Sequence, residues 1–507
     1  MTGVARPRVA RPGDLRHIVE WSAAELSAAI GGGVVTCVEV MAAYLEHIDR
    51  LNPHVNAIVA LRPHDDLLAE AAAKDELLER GERQGWMHGF PHAVKDLSDV
   101  AGLPTTLGLH RPAADVPPAA ADALFVERIR AAGAIFIGKT NTPELGLGSN
   151  TYNRVYGLTR NPYDLTKVAG GSSGGGAVAV ALRMLPVADG SDFMGSLRNP
   201  PGWTNVYGLR PSFGRVPSAG PDLFVNQGGV NGPIARTPLD LALLLATMAG
   251  EDPRAPLSLP GPGVDIAAAS EPVRGGRVVW FRDLGGYLPM EPEVLAVCDA
   301  AVERLREMGF EVVVHDDLPS SGGFRGAADL WRLWRTYRHT LIGGANRTLY
   351  DDPHTREMLK PEAIYEIEGL LHGLDGEGPI TATDLFAASA QRSDLYRGFL
   401  DLFESADYVL LPTAQAMPFD VDVLWLDAIE GRAMSSYHRW MEVATIGTLL
   451  GAPTLAMPAG FGPSGLPTGL QVIGRNHDDT AVLRLATTWE AAHGWVQRRR
   501  PSLLDRA

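Results

Sequence analysis

Cysteine and lysine are the scarce residues of this chain. Only two cysteines, Cys37 and Cys298, occur among 507 residues, far apart and outside any cluster of metal-ligand spacing. That argues against a disulfide framework and against a cysteine-based metal site, and it fits a reducing, cytoplasmic setting. Positive charge is also short: 45 Lys and Arg against 60 Asp and Glu leave a formal net charge of −15, which argues against a nucleic-acid surface built on bulk cationic charge. Long apolar runs are missing. The longest, near residues 239–248, is about half the ~20 residues that span a bilayer, and the stretch through Arg16 carries arginines without the apolar core of a secretory signal. The fourteen histidines show no metal-ligand spacing. No fixed-period repeat or low-complexity linker stands out. The expectation is a cytoplasmic protein with no membrane segment, nucleic-acid partner, metal or cofactor.

Five lysines remain, Lys74, Lys95, Lys139, Lys167 and Lys360, in a chain that uses arginine for nearly every other cation. A lysine in apolar text is then a candidate for a task arginine cannot perform, because only lysine loses its proton near neutral pH. Lys74 and Lys360 sit in polar helical text and read as surface residues. Lys95 instead ends the apolar phrase Gly89, Phe90, Pro91, His92, Ala93, Val94, Lys95 and is followed by Asp96, whose expected part is to hold local backbone.

An apolar fraction of 45% supports a large core. Residues 22–48 have helical periodicity, 55–61 read as a short strand and 65–83 as a charged helix. A helix is expected at 119–132, a buried strand at 134–137, a turn at 138–141, an apolar helix at 177–184 and strand text at 185–188. Residues 251–276 read as a surface connection. From 285 to about 440 the text is helical and aromatic, with Trp331, Trp334, Tyr337, Trp425, Tyr437 and Trp440, and strand text recurs at 408–411 and 454–457. This alternation predicts an α/β layered core with a mostly buried sheet. The aromatic segment reads as an excursion from one domain covering 21–507, preceded by a flexible tail at 1–20.

The most informative run is Gly170, Gly171, Ser172, Ser173, Gly174, Gly175, followed 24 positions after Ser172 by Ser196 within Asp192, Phe193, Met194, Gly195, Ser196. Two serines on glycine-rich backbone and a lysine that burial could neutralise supply a nucleophile, a proton relay and a base, the parts of acyl-transfer chemistry. For lysine to act as a base near neutral pH its pKa must fall about three units from 10.4, which burial can supply at roughly 4 kcal/mol of disfavoured charge. The same run also fits the G-x-S-x-G elbow of α/β-hydrolases, an esterase reading with Ser173 as nucleophile and a late histidine such as His477 as base. That elbow follows a buried strand, and Asp164 to Ala169 is too polar to be one. A loose dinucleotide fingerprint over Gly174, Gly176 and Ala179 fails for the same reason.

The chain resembles the amidase signature family of Ser, cis-Ser, Lys amide hydrolases. The phrases that carry the likeness run in the family's order: residues 87–97 (MHGFPHAVKDL), 138–144 (GKTNTPE), Arg160-Asn161-Pro162, the GGSSGG run, 192–200 (DFMGSLRNP), 208–217 (GLRPSFGRVP), 232–236 (GPIAR), 451–458 (GAPTLAMP) and 465–474 (GLPTGLQVIG). The resemblance covers roughly residues 20–495. It implies an amidase-signature fold, a central mixed β-sheet covered by helices on both faces. It also implies Ser196 as nucleophile, Ser172 as the cis-peptide serine that relays protons and Lys95 as base. Backbone N–H groups of Phe193, Met194, Gly195 and Ser196 then form the oxyanion hole, and Ser173, Ser191, Asp192 and Arg198 support these groups. The implied substrate is a small-molecule carboxylic amide, and a homodimer is compatible with the family. Two positions depart from the pattern: Met194 stands where glycine is usual, and Thr448 where asparagine is frequent. The same motifs occur in the glutamine-hydrolysing subunit of transfer-RNA-dependent amidotransferases, which works with a partner. The Met194 departure and the aromatic segment favour a stand-alone amidase.

Overall fold

A computed structural model describes residues 7, 9–109 and 113–505. Of the expected tail at 1–20, residues 1–6 and 8 lie outside the described residues. Its last part is not tail-like, because Leu15–Glu20 form a 3-10 helix whose Ile18 and Val19 are buried in the core. The helical text of 22–48 resolves into two helices, Ala23–Gly31 and Cys37–Val55. The second starts at a capping box in which Thr36 and Glu39 satisfy each other's backbone N–H groups.

Eleven strands carry the architecture: β1 (Ile58–Val59), β2 (Pro91–Lys95), β3 (Ile135–Thr140), β4 (Val187–Asp192), β5 (Tyr207–Arg210), β6 (Val230–Ala235), β7 (Gly276–Trp280), β8 (Phe310–Val314), β9 (Tyr408–Pro412), β10 (Thr454–Phe461) and β11 (Pro467–Ile473). The last eight form one sheet in the order β8-β7-β9-β11-β10-β5-β6-β4. β8, β7 and β9 run parallel, and the remaining pairings are antiparallel. β1, β3 and β2 form a small second sheet. Residues 138–140, expected in a turn, continue β3, because Lys139 and Thr140 pair with both β1 and β2.

Helices cover both faces of the large sheet. In β9, Tyr408 and Leu410 enter one apolar cluster while Val409 and Leu411 enter another, and Val278 and Val279 of β7 divide in the same way. A strand with both faces buried reads as a continuous apolar run for this reason. The first cluster includes helices Cys37–Val55, Gly174–Ala181, Pro238–Met248, Pro292–Glu307 and Asp479–His493. The second includes Ala327–Arg338, Ala382–Ser405 and Thr445–Leu450. The aromatic segment from 285 thus fills the second cluster with Trp331, Trp334, Tyr337 and Trp440 and returns β8 and β9 to the large sheet. Among the described residues no helix is long and apolar enough to cross a membrane. The long apolar run at 238–248 is a buried helix.

The helix expected from Ala177 begins three residues earlier, at Gly174. A Cβ added at Gly175 would clash with Asn141 N and stand 2.6 Å from Ala57 O. The glycines therefore let this helix pass against the backbone beyond β3. Gly175→Ala is expected to destabilise the fold by about 1–3 kcal/mol in urea denaturation, the backbone clash outweighing alanine's better helix propensity. Gly13→Ala, where an added Cβ meets nothing within 4 Å, should stay within about 0.5 kcal/mol. Equal effects would contradict this packing.

Candidate active site

Lys95 ends β2, and Asp189 on β4 fixes it against the large sheet. One carboxylate oxygen of Asp189 accepts from Lys95 N at 3.2 Å, and the other lies 3.1 Å from His92 Nε2. Ser172 and Ser173 immediately precede helix Gly174–Ala181, and the Gly171–Ser172 peptide is cis. Ser196 lies just beyond the end of β4. Three separate elements thereby converge on one cluster of hydroxyls around a single amine.

Lys95 Nζ lies 2.8 Å from Ser172 Oγ, 2.9 Å from Ser173 Oγ and 3.0 Å from Ser191 Oγ, and Ser172 Oγ lies 3.0 Å from Ser196 Oγ. Lys95 is 1% exposed. Burial lowers its pKa to about 7, with Asp189 and Asp192 partly opposing the shift. A neutral amine has two N–H groups and one lone pair. Ser173 Oγ gives its own proton to Ser191 O at 3.2 Å and so accepts from Lys95. With Ser191 Oγ taking the second N–H, the lone pair is left for Ser172.

Asp192 and Arg198 flank the serine loop as a fully buried ion pair. Burial alone would raise the Asp192 pKa, but the Arg198 charge and hydrogen bond, with Arg210, hold it well below the usual carboxylate range. Asp192 Oδ1 accepts from Gly195 N at 2.9 Å and Oδ2 from Leu197 N at 3.0 Å. Of the four amides expected in an oxyanion hole, that of Gly195 is therefore engaged by the carboxylate that shapes the loop. Phe193, Met194 and Ser196 remain. Gly195 has a φ of +90°, a region that glycine adopts without steric cost.

A cavity of about 90 Å³ opens on Ser172 and Ser196, walled by Leu145, Leu147, Phe193 and Met194. Met194, one of the two departures from the family pattern, is thus on the cavity wall. A larger cavity of about 730 Å³ shares Ser191 with the first, and both are bounded by the segment 338–345. Two titratable residues on the small cavity's wall, Arg338 and His438, escaped sequence reading. Arg338 is pinned by Glu366 at 2.5 Å and by Tyr437 at 2.6 Å, and His438 packs between Trp331 and Tyr437.

Lys360 corrects the sequence reading outright. It is buried, not a surface residue, with Nζ donating to Leu147 O at 2.7 Å and lying 3.2 Å from Glu362, and so it anchors the loop behind Leu145 and Leu147. Lys139 is buried as well, donating to Ser98 O and to Thr105 Oγ1 at 3.2 Å. Asp96 holds local backbone, accepting from Thr106 N at 3.1 Å. The elbow reading fails on geometry. Ser173 Oγ is bound to Lys95 and Ser191, no strand precedes it, and among the described residues no histidine ring bonds to Ser172, Ser173 or Ser196. Among the described residues no group of three or more His, Cys, Asp or Glu is clustered as metal ligands would be.

Comparison with known proteins gives the family to which the chain belongs. The amidase family profile matches residues 39–483. An acylamidase of Rhodococcus erythropolis is 34% identical over 94% of this chain and 96% of its own length. The glutamyl-tRNA(Gln) amidotransferase of Chloroflexus aurantiacus contributes a subunit that is 33% identical, over 96% of this chain and 99% of its own length. Among solved structures, a bacterial aryl acylamidase of the amidase signature enzymes superposes with a TM-score of 0.86 at 27% identity, covering 96% of this chain and 99% of the other. The chain therefore belongs to the amidase family of amidase signature enzymes, hydrolases of amide C–N bonds.

Proposed function

We propose that Ser196 is the nucleophile, Ser172 the proton relay and Lys95 the base of this amidase. The observation that carries the reading is the unbroken hydrogen-bond path from Ser196 Oγ through Ser172 Oγ to a buried lysine whose pKa lies at about 7. As Ser196 Oγ bonds to the amide carbonyl carbon, its proton passes to Ser172 Oγ while the Ser172 proton passes to Lys95 Nζ. The carbonyl oxygen becomes an oxyanion facing the N–H groups of Phe193, Met194 and Ser196. The relay then runs backwards, the leaving nitrogen takes the proton, and the C–N bond breaks to leave an ester on Ser196. Water attacks that ester along the same relay and frees the acid and Ser196. Ser173 and Ser191 hold the lysine's two N–H groups.

The two cavities suggest the shape of the substrate. About 90 Å³ beside the serines suits a short portion, and about 730 Å³ beyond Ser191 suits a larger, mostly apolar one. Amides bulky on one side of the bond are the proposed class. A second reading has support of similar weight in sequence, the amidotransferase relative at 33% identity. Co-purification with a second protein, and glutamine hydrolysis dependent on it, would favour that role. The two buried free thiols, Cys37 and Cys298, accord with a cytoplasmic setting. A homodimer, compatible with the family, is read directly by size-exclusion chromatography with light scattering.

Three outcomes are expected. A fluorophosphonate probe mapped by mass spectrometry should label Ser196, and Lys95→Met should lower amide turnover about 10²–10⁴-fold. Labelling on Ser173 would overturn the assignment. Because burial lowers the Lys95 pKa, the base is neutral above about pH 7 and protonated below it. kcat/KM should therefore fall about tenfold per pH unit on the acid side of that value, and a profile flat to about pH 5 would contradict Lys95 as base. Across an amide panel, enlarging one side should raise kcat/KM while enlarging both should lower it at least about tenfold. A panel on which the smallest amide is the best substrate would contradict the two-cavity reading.

A further inference from the structure

Thr448 stands in the helix Thr445–Leu450, where the family often carries asparagine, and its hydroxyl sits between two elements of the site. Thr448 Oγ1 donates to the backbone carbonyl of Phe193 at 2.8 Å and accepts from Arg198 Nη2 at 3.1 Å. The residue is 2% exposed, so neither contact competes with bulk water.

The Arg198 side of this contact is closed. A guanidinium has five N–H donors. Here Nε donates to Asp192 Oδ2 at 2.9 Å and Nη2 to Asp192 Oδ1 at 2.9 Å. Nη1 donates to Ala444 O at 2.7 Å and to Gln471 Oε1 at 2.8 Å. Thr448 takes the fifth. With its lone pair committed to Arg198, the hydroxyl proton turns to Phe193 O. The same arginine, through Asp192, holds the amides of Gly195 and Leu197, so one buried cation sets the loop from both ends.

The Phe193 carbonyl and the Met194 N–H belong to one peptide group. This peptide is trans, and its C=O and N–H therefore point in opposite directions. Anchoring Phe193 O on Thr448 aims Met194 N–H away from Thr448. Met194 lines the small cavity with Ser196, and its N–H donates to no acceptor among the described residues.

We infer that Thr448 is a positioning residue for the oxyanion hole, holding the Phe193–Met194 peptide so that its N–H meets the developing charge on the substrate oxygen. The inference rests on the proposed Ser196 mechanism. Its effect is felt chiefly in the transition state, because the donor matters most when the oxygen carries full charge.

The test compares Thr448→Val, of nearly equal shape but without the hydroxyl, with Thr448→Ser, which keeps it. Thr448→Val should lower kcat by about 10–100-fold with KM within about twofold, and Thr448→Ser should recover most of the rate. A boronic acid that forms a tetrahedral adduct with Ser196 should lose affinity in step with kcat/KM, while an uncleaved substrate-like amide inhibitor should not. Should the valine variant not fold, Thr448→Ala against Thr448→Ser gives the same comparison. Unchanged kcat in a folded variant, or a loss confined to KM, would overturn the inference while leaving the mechanism standing. Failure of wild-type Ser196 to take the fluorophosphonate would instead remove the mechanism beneath it.

Discussion

An amine that must be neutral and buried, yet fully hydrogen-bonded, is the constraint on which this site depends. Lysine in water is protonated at neutral pH and useless as a base. Placed at the end of β2 against the large sheet, with three serine hydroxyls at 2.8–3.0 Å, it loses the solvation that favours the cation while the amine and the hydroxyls around it satisfy one another. Asp189 and Asp192 would favour the charged form, and their effect is smaller than that of burial. The pKa of about 7 is the balance of these opposed effects, and it places the base near the pH at which proton transfer serves best.

That arrangement demands precise placement of groups far apart in sequence. Asp189 joins β2 to β4 and so brings Lys95 to Ser191. The cramped glycines of helix Gly174–Ala181 bring Ser172 and Ser173 under the same amine. Arg198, with all five donors engaged, folds the loop that presents Ser196, and it extends through Thr448 to the peptide ahead of the nucleophile. Breaking such a buried ion pair by removing one partner costs about 3–5 kcal/mol, so the loop's shape is coupled to the stability of the fold. Lys360 gives the opposite wall of the cavity a similar anchor.

Much of this was legible in the chain. The scarcity of lysine singled out Lys95, the glycine–serine run and Asp192 to Ser196 marked the loops, and the apolar run at 408–411 read as the strand it forms, buried on both faces. Local reading erred where tertiary contacts decide. Gly138 to Thr140 read as a turn because glycine and polar residues end strands in isolation, but pairing on both sides holds them extended. Lys360 looked like a surface residue because its partners, Leu147 and Glu362, come from a distant loop and from the next turn of chain. Asp189, Arg338 and His438 carried no local signal at all. Their relevance comes from contacts across the fold that a linear pattern does not encode. Gly195 was grouped with the oxyanion donors by likeness, and only its 2.9 Å bond to Asp192 separates it from its neighbours.

The central claim is that one lysine is neutral at physiological pH because it is buried. With only five lysines in the chain, ¹³C-labelling at the lysine ε-carbon gives an NMR spectrum simple enough to titrate directly, and Lys95→Met identifies the relevant signal by its disappearance. A midpoint near pH 7 for that signal is the result this account requires. A midpoint above about pH 9 would mean that the site holds an ammonium, and the proton relay as described could not operate.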